Sequence, residues 1–226
     1  NDLPKLDKPL HLAAALELSA AGREVVVIEA AAGPGGKMRA IPSAAGEIDA
    51  GPTVFTQRPV FEALFDAAGT SLAAELEVTR AELLARHVWP DGARLDLFDD
   101  PARSEAAIEA LSGPEEAARF RAFTARCRRL YEAFEGPVME AARPTPLGVA
   151  RALSTDALRL APDMAPLSTL WGALGQQFRD PRLRQLFARY ATYVGGSPFL
   201  SPALLMLIWR SEAAGVWTVK GGMGAL

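Results

Sequence analysis

The stretch REVVVIEAAAGPGGKMRAIPSAAGEIDAGPT, residues 23–53, decides how the rest of the chain is read. It opens on Val25, Val26, Val27 and Ile28 and ends that run on the carboxylate of Glu29. Consecutive apolar positions are the pattern of a parallel strand buried on both faces. An acid at the end of such a strand is the ribose-binding position of a dinucleotide fold. A loop of Gly33, Gly35, Gly36, Lys37, Met38 and Arg39 follows, and then Asp49, Ala50, Gly51, Pro52 and Thr53. Paired glycines permit positive φ and close backbone approach, while Lys37 and Arg39 offer cations to a phosphate. A flexible surface turn is the other reading of the same loop.

Upstream, an Ala/Leu-rich helix is expected over residues 10–21, with Pro9 at its start and Gly22 at its end. Helix, glycine, strand and acid form the second half of a βαβ unit. The first strand and its G-x-G-x-x-G turn belong in residues 1–12, where NDLPKLDKPLHL has no glycine. Those glycines let backbone reach a pyrophosphate at the helix N-terminus. As written, that cradle is incomplete. A chain lacking its true start, a misassigned segment and a natural loss of binding all remain open.

With 226 residues the chain can hold one large domain or two small ones. Half of it is apolar and 23% charged, and the net charge of -3 gives no electrostatic footprint for nucleic acid. A single Cys127 excludes an internal disulfide framework and suits a reducing compartment, so a cytoplasmic location is expected. Two histidines, His11 and His87, argue against a histidine-rich metal site. The Asp/Lys/Pro-rich start is not a signal peptide, and no run reaches the ~18 apolar residues of a membrane span.

Further along, Thr56 is expected to cap a helix reaching residue 68, with Val60, Phe61, Leu64, Phe65 and Ala68 as a core stripe. Residues 84–89 and 93–98 flank Pro90, Asp91 and Gly92 as a hairpin. From residue 100 onward the chain is helical. Asp99 or Asp100 caps one helix, and Ser112 with Glu115 matches a capping box for a long one to residue 134. Phe120, Phe123, Cys127, Leu130 and Phe134 mark its buried face, and its arginines a solvated one. Prolines between 137 and 166 allow only short helices, near 147–153 and 155–160. Amphipathic helices over 167–178 and from Asp180 to residue 190 follow. An apolar helix over 202–209 is either core or lining for a long apolar substrate. A strand over 216–219 leads into Lys220, Gly221, Gly222 and Met223.

Three segments carry a family resemblance: LAAALELSAAGREVVVIEAAAGPGGKMRA (12–40), DAGPTVFTQRPVFEALF (49–65) and LLARHVWPDGARLDLF (83–98). They resemble the N-terminal part of bacterial carotenoid desaturases of the phytoene desaturase type, flavoproteins related in fold to amine oxidases and protoporphyrinogen oxidase. Within that group the second and third are most similar to the hydroxyneurosporene desaturases. The resemblance covers residues 12–226. It implies FAD, with Glu29 on the adenosine ribose, Gly35, Gly36, Lys37, Met38 and Arg39 around the diphosphate, and Gly51, Pro52 and Thr53 near the flavin. It assigns no catalytic residue.

The fold class expected is α/β. It combines an incomplete Rossmann-like FAD-binding part (1–54), a mostly helical substrate domain with a small antiparallel sheet (55–215), and a return strand (216–226). The implied activity is FAD-dependent desaturation of an acyclic, hydroxylated carotenoid, with peripheral contact at the inner membrane. A related amine or porphyrinogen oxidase is the alternative. A piece without its C-terminal half, inactive as given, is the non-enzyme alternative.

Overall fold

A computed structural model describes residues 8–31, 33–141, 143–153 and 157–226. The chain divides into two compact units, Asn1–Ala81 with Gly215–Leu226, and Glu82–Ala214. The division expected at residue 54 differs from this boundary: residues 55–81 group with the first unit.

In the first unit, α1 (Lys8–Ala20) ends where Gly22 takes φ +74°, the left-handed turn that a glycine enters without a Cβ clash. Then β1 (Ala40–Ser43) and β2 (Gly46–Asp49) form a hairpin, registered Ala40 to Asp49 and Ser43 to Gly46. The Ser43 hydroxyl donates to the Gly46 carbonyl at 2.6 Å, which tightens the turn. Next come α2 (Arg58–Ala67), α3 (Leu72–Glu75) and β3 (Val78–Arg80).

Two expectations fail in this unit. Residues 23–29 form no strand, and Val26 and Ile28 are 80% and 92% exposed. A strand buried on both faces needs parallel neighbours at its edges. Every named strand pair among the described residues is antiparallel. The first half of the expected βαβ unit belongs in residues 1–12: residues 1–7 lie outside the described residues, and 8–12 are already helical in α1. The second failure is the cap of α2. Gln57, not Thr56, precedes the helix, at φ 56° and with no side-chain bond to the helix's first N–H groups. Thr56 stands one residue too early to reach the free N–H groups. The Val60 N–H bonds the Gln57 carbonyl instead, at 2.9 Å.

The second unit opens with β4 (Leu83–Val88) and β5 (Arg94–Phe98), the expected hairpin, with Gly92 at φ +83° in its turn. Asp100 caps α4 (Pro101–Ser112), its carboxylate accepting the Ala102 N–H at 2.9 Å. Then α5 (Pro114–Phe134) follows at once through Gly113 at φ +89°. The expected capping box does not form. Ser112 is still helical in α4, and its hydroxyl donates to Asp180 at 2.6 Å. Pro114 has no N–H to satisfy, so α5 starts with one orphan donor fewer.

A π-turn (Glu135–Met139) leads to α6 (Pro146–Ala152) and α7 (Ala157–Met164). The expected start at Thr155 lies outside the described residues. Thr169 caps α8 (Leu170–Gln177), which excludes Leu167, fully exposed at 101% and thus no part of a buried stripe. Asp180 caps α9 (Pro181–Ala188). The apolar run from Pro202 winds as a 3₁₀ turn, Ala203–Leu207, before α10 (Ile208–Ala213). The chain then rejoins the first unit as β6 (Trp217–Val219), antiparallel to β3 with Val78 opposite Val219.

The core of the second unit is aromatic. Phe187 meets Phe123 at 4.6 Å, Phe178 at 5.2 Å and Trp209 at 5.5 Å between ring centroids. Phe120, Phe123, Cys127, Leu130 and Phe134 supply the buried face of α5. The arginines of that helix are paired, Arg129 with Asp163 at 2.8 Å and Arg121 with Glu105. The Cys127 thiol donates to the Met206 carbonyl at 3.2 Å, and burial pushes its pKa up, so it is an inert core thiol.

Candidate functional site

The glycine-rich segments of the first unit meet backbone to backbone. Gly35 and Gly36 take φ +115° and +60°, and the Met38 N–H closes the turn on the Gly35 carbonyl at 3.0 Å. The Ala50 N–H donates to the Arg39 carbonyl at 2.7 Å, which continues the β1–β2 pairing by one bond. This brings Gly51 against Lys37. A Cβ on Gly51 would lie 1.7 Å from the Lys37 carbonyl oxygen and 2.8 Å from its carbonyl carbon. No side chain fits there, and backbone atoms cannot step aside cheaply.

The result is a cleft of about 520 Å³ lined by Gly36, Lys37, Arg39, Ala50, Gly51 and Pro52. Five of the nine sequence-predicted positions thus share one cleft, with two cationic side chains beside backbone that only glycine allows. Gly35 shapes its turn without lining it. Met38 faces the other way. It lines an apolar cavity of about 390 Å³ with Leu12 and Leu16 of α1, Pro52, Phe55, Phe61 and Leu64 of α2, and Met223. The stripe expected as core on α2 therefore borders a cavity, and α2 has no fully buried residue.

Glu29 and Thr53 line neither space. The Glu29 carboxylate accepts the Ala31 N–H at 2.8 Å, and Thr53 is exposed. Sequence reasoning also missed Asp49 as a partner of the last turn. Its two carboxylate oxygens accept the Met223 N–H at 3.0 and 3.1 Å. The glycines at 221, 222 and 224 were the only available signal, because they mark a turn closed against something.

A larger cleft, about 860 Å³, lies in the second unit between Ser112, Glu116, Asp180 and Arg182. We regard it as structural, because its polar groups are already engaged. Glu116 accepts the Arg179 and Asp180 N–H groups at 3.1 and 3.4 Å, and Asp180 holds Arg182 at 2.8 Å. The other buried polar cluster is similarly closed on itself. Glu212 accepts from Arg189, from the Tyr190 hydroxyl at 2.9 Å and from the Tyr193 hydroxyl at 2.6 Å. Burial and the Glu212 charge push both tyrosine pKa values up, that of Tyr193 to about 12. His87, half-buried, is held below the usual imidazole range by desolvation and by the Arg189 charge. Among the described residues no cluster of His, Cys, Asp or Glu could hold a metal ion.

Residues 12–226 match the family model for flavin containing amine oxidoreductases. The chain belongs to that family. It is 49% identical over 218 residues to a hydroxyneurosporene desaturase of Cereibacter sphaeroides, covering 95% of this chain and 43% of that protein. A hydroxyneurosporene desaturase of Rubrivivax gelatinosus is 47% identical, with 95% and 41% covered. A phytoene dehydrogenase of Streptomyces griseus is 35% identical, with 95% and 42% covered. The chain thus spans less than half the length of the curated relatives it matches. Family membership indicates FAD as the cofactor. The site fits such a group: Lys37 and Arg39 line a cleft whose backbone wall closes through the contact of Gly51 with Lys37, and two cations suit a diphosphate.

Proposed function

We propose that the protein containing this chain is an FAD-dependent desaturase of an acyclic, hydroxylated carotenoid, acting on a CH–CH bond. The observation that carries this is the glycine-shaped, cationic cleft at Gly36, Lys37, Arg39 and Gly51 in a chain of this flavin family. Identities of 47–49% to hydroxyneurosporene desaturases support the substrate class. In this reading Gly35, Gly36, Lys37, Met38 and Arg39 surround the diphosphate, Gly51, Pro52 and Thr53 lie near the flavin ring, and Glu29 reaches the ribose of a Rossmann-like arrangement. Residues 1–54 and 216–226 serve the cofactor, and residues 55–215 the substrate.

When bound, the flavin supplies a two-electron acceptor for the hydride lost from one carbon as its neighbour loses a proton. What this chain contributes is binding, orientation and exclusion of water. Lys37 and Arg39 would neutralise the diphosphate, Gly51 lets the chain close on Lys37 and so shapes the cleft, and the apolar cavity beside Met38 would keep water from the reacting end. A peripheral membrane contact belongs to the same reading. It is supported by the exposed side chains of Leu167, Phe199 and Leu200 in the second unit. Among the described residues, no helix is long and apolar enough to cross a membrane.

The test supplies the full-length gene product and FAD with a hydroxylated acyclic carotenoid, and separately with an amine and a porphyrinogen. A longer conjugated chain, seen as a red-shifted carotenoid spectrum, is expected. Oxidation of the amine or porphyrinogen with the carotenoid unchanged would contradict the proposal. Co-sedimentation with anionic liposomes checks the membrane contact, and no enrichment with lipid removes it.

A further inference from the structure

We propose that Asp49 is a positioning residue whose carboxylate locks the two glycine-rich turns of the first unit into one wall of the cofactor site. The proposal rests on the flavin reading above. Asp49 ends β2 and is half-buried. On one side it leads directly into Ala50 and Gly51, the backbone packed on Arg39 and Lys37. On the other its two oxygens receive the Met223 N–H at 3.0 and 3.1 Å. Gly222 stands at φ +84°, and a Cβ there would lie 2.9 Å from the Asp49 Oδ1 atom. Carboxylate and turn are therefore in close contact, though less tightly than Gly51 and Lys37.

The turn needs such an anchor. Gly221, Gly222 and Gly224 leave it with large conformational freedom, which a local backbone turn alone restrains weakly. A bond from an N–H to a charged carboxylate is stronger than one between neutral groups. Its consequence reaches the site, because Met223 and Met38 border the same apolar cavity and Pro52 borders both that cavity and the cationic cleft. A Cβ on Gly224 would also lie 4.0 Å from the Met38 carbonyl oxygen. With Asp49 removed, the 221–224 turn moves away from Met38, and the wall shared by the two spaces loosens. A purely structural staple would lower stability and leave a bound flavin undisturbed.

The experiment titrates the full-length gene product with FAD, reading flavin fluorescence and the visible flavin band, with far-UV circular dichroism as the fold control. Asp49→Ala is expected to raise the Kd for FAD about tenfold or more and to shift the flavin band, since loss of a supporting contact misplaces the groups that hold the ligand. Asp49→Asn keeps one acceptor oxygen without the charge, and is expected about threefold weaker than wild type with the band moved part-way. Wild-type Kd and spectrum in Asp49→Ala overturn the proposal and leave the flavin reading standing. Wild-type protein that binds no flavin overturns that reading first. If Asp49→Ala does not fold, Asp49→Asn decides: an unchanged Kd and spectrum overturn the role assigned to Asp49.

Discussion

The two units solve the problem of burial differently. The second buries a continuous aromatic and aliphatic core around Phe187, with helices whose apolar faces close on one another. Among the described residues the first has a smaller core cluster, Phe55, Leu72, Val219 and Met223, and leaves Val26 and Ile28 exposed. Its shape depends on tight backbone contacts at Gly51 and Gly222 and on the carboxylate of Asp49. Buried apolar side chains are concentrated in the second unit, whereas the glycine-shaped cleft lies in the first. Binding sites are commonly built from such lightly buried segments held by a more rigid scaffold.

Mutations can break this contrast if it is wrong. The largest effect expected is from Phe187→Ala, which removes the centre of the aromatic cluster and should cost about 4 kcal/mol in denaturant unfolding. A cost within about 0.5 kcal/mol, the range of surface substitutions, would mean that the cluster is not the unit's core. Glu212→Ala should follow at roughly 2 kcal/mol, because half-buried Arg189 loses its carboxylate and two tyrosine hydroxyls, that of buried Tyr190 among them, lose their acceptor. Full stability in that variant would show the cluster to be dispensable.

A smaller effect concerns pH. The folded-state pKa of His87 is lowered by burial, so the unfolded chain takes up its proton first as pH falls. Stability of the second unit should be unaffected by His87 above its unfolded value of about 6.5 and should decline below it, toward the lower folded value. His87→Gln should flatten that part of the unfolding-versus-pH curve. An unchanged slope would show that His87 titrates alike in both states.

The contrast between the units also explains what the sequence disclosed. In the second unit, Asp100 before Pro101, Asp180 before Pro181 and the three- and four-residue spacings of α5 state their structure locally, and each forms as read. Ser112 misled because a cap motif cannot reveal that the preceding helix runs on through it. In the first unit the informative contacts are distant. Asp49 meets Met223 across 174 positions, and Val78 of β3 faces Val219 of β6 far along the chain, so no local pattern announces either. The residues of the cleft were legible through their glycines. The strand expected at 25–29 is not realised, since an apolar run becomes a buried strand only beside strands that pair with it, and none among the described residues does.

One measurement bears most directly on the central claim, that Gly51 and its cationic neighbours form the flavin cradle. The full-length gene product and its Gly51→Ala variant are titrated with FAD, with unfolding of the second unit followed in parallel. Wild type should bind flavin, and Gly51→Ala should lose it while the second unit unfolds at its original midpoint. Wild-type affinity in Gly51→Ala, with the fold intact, would contradict the account.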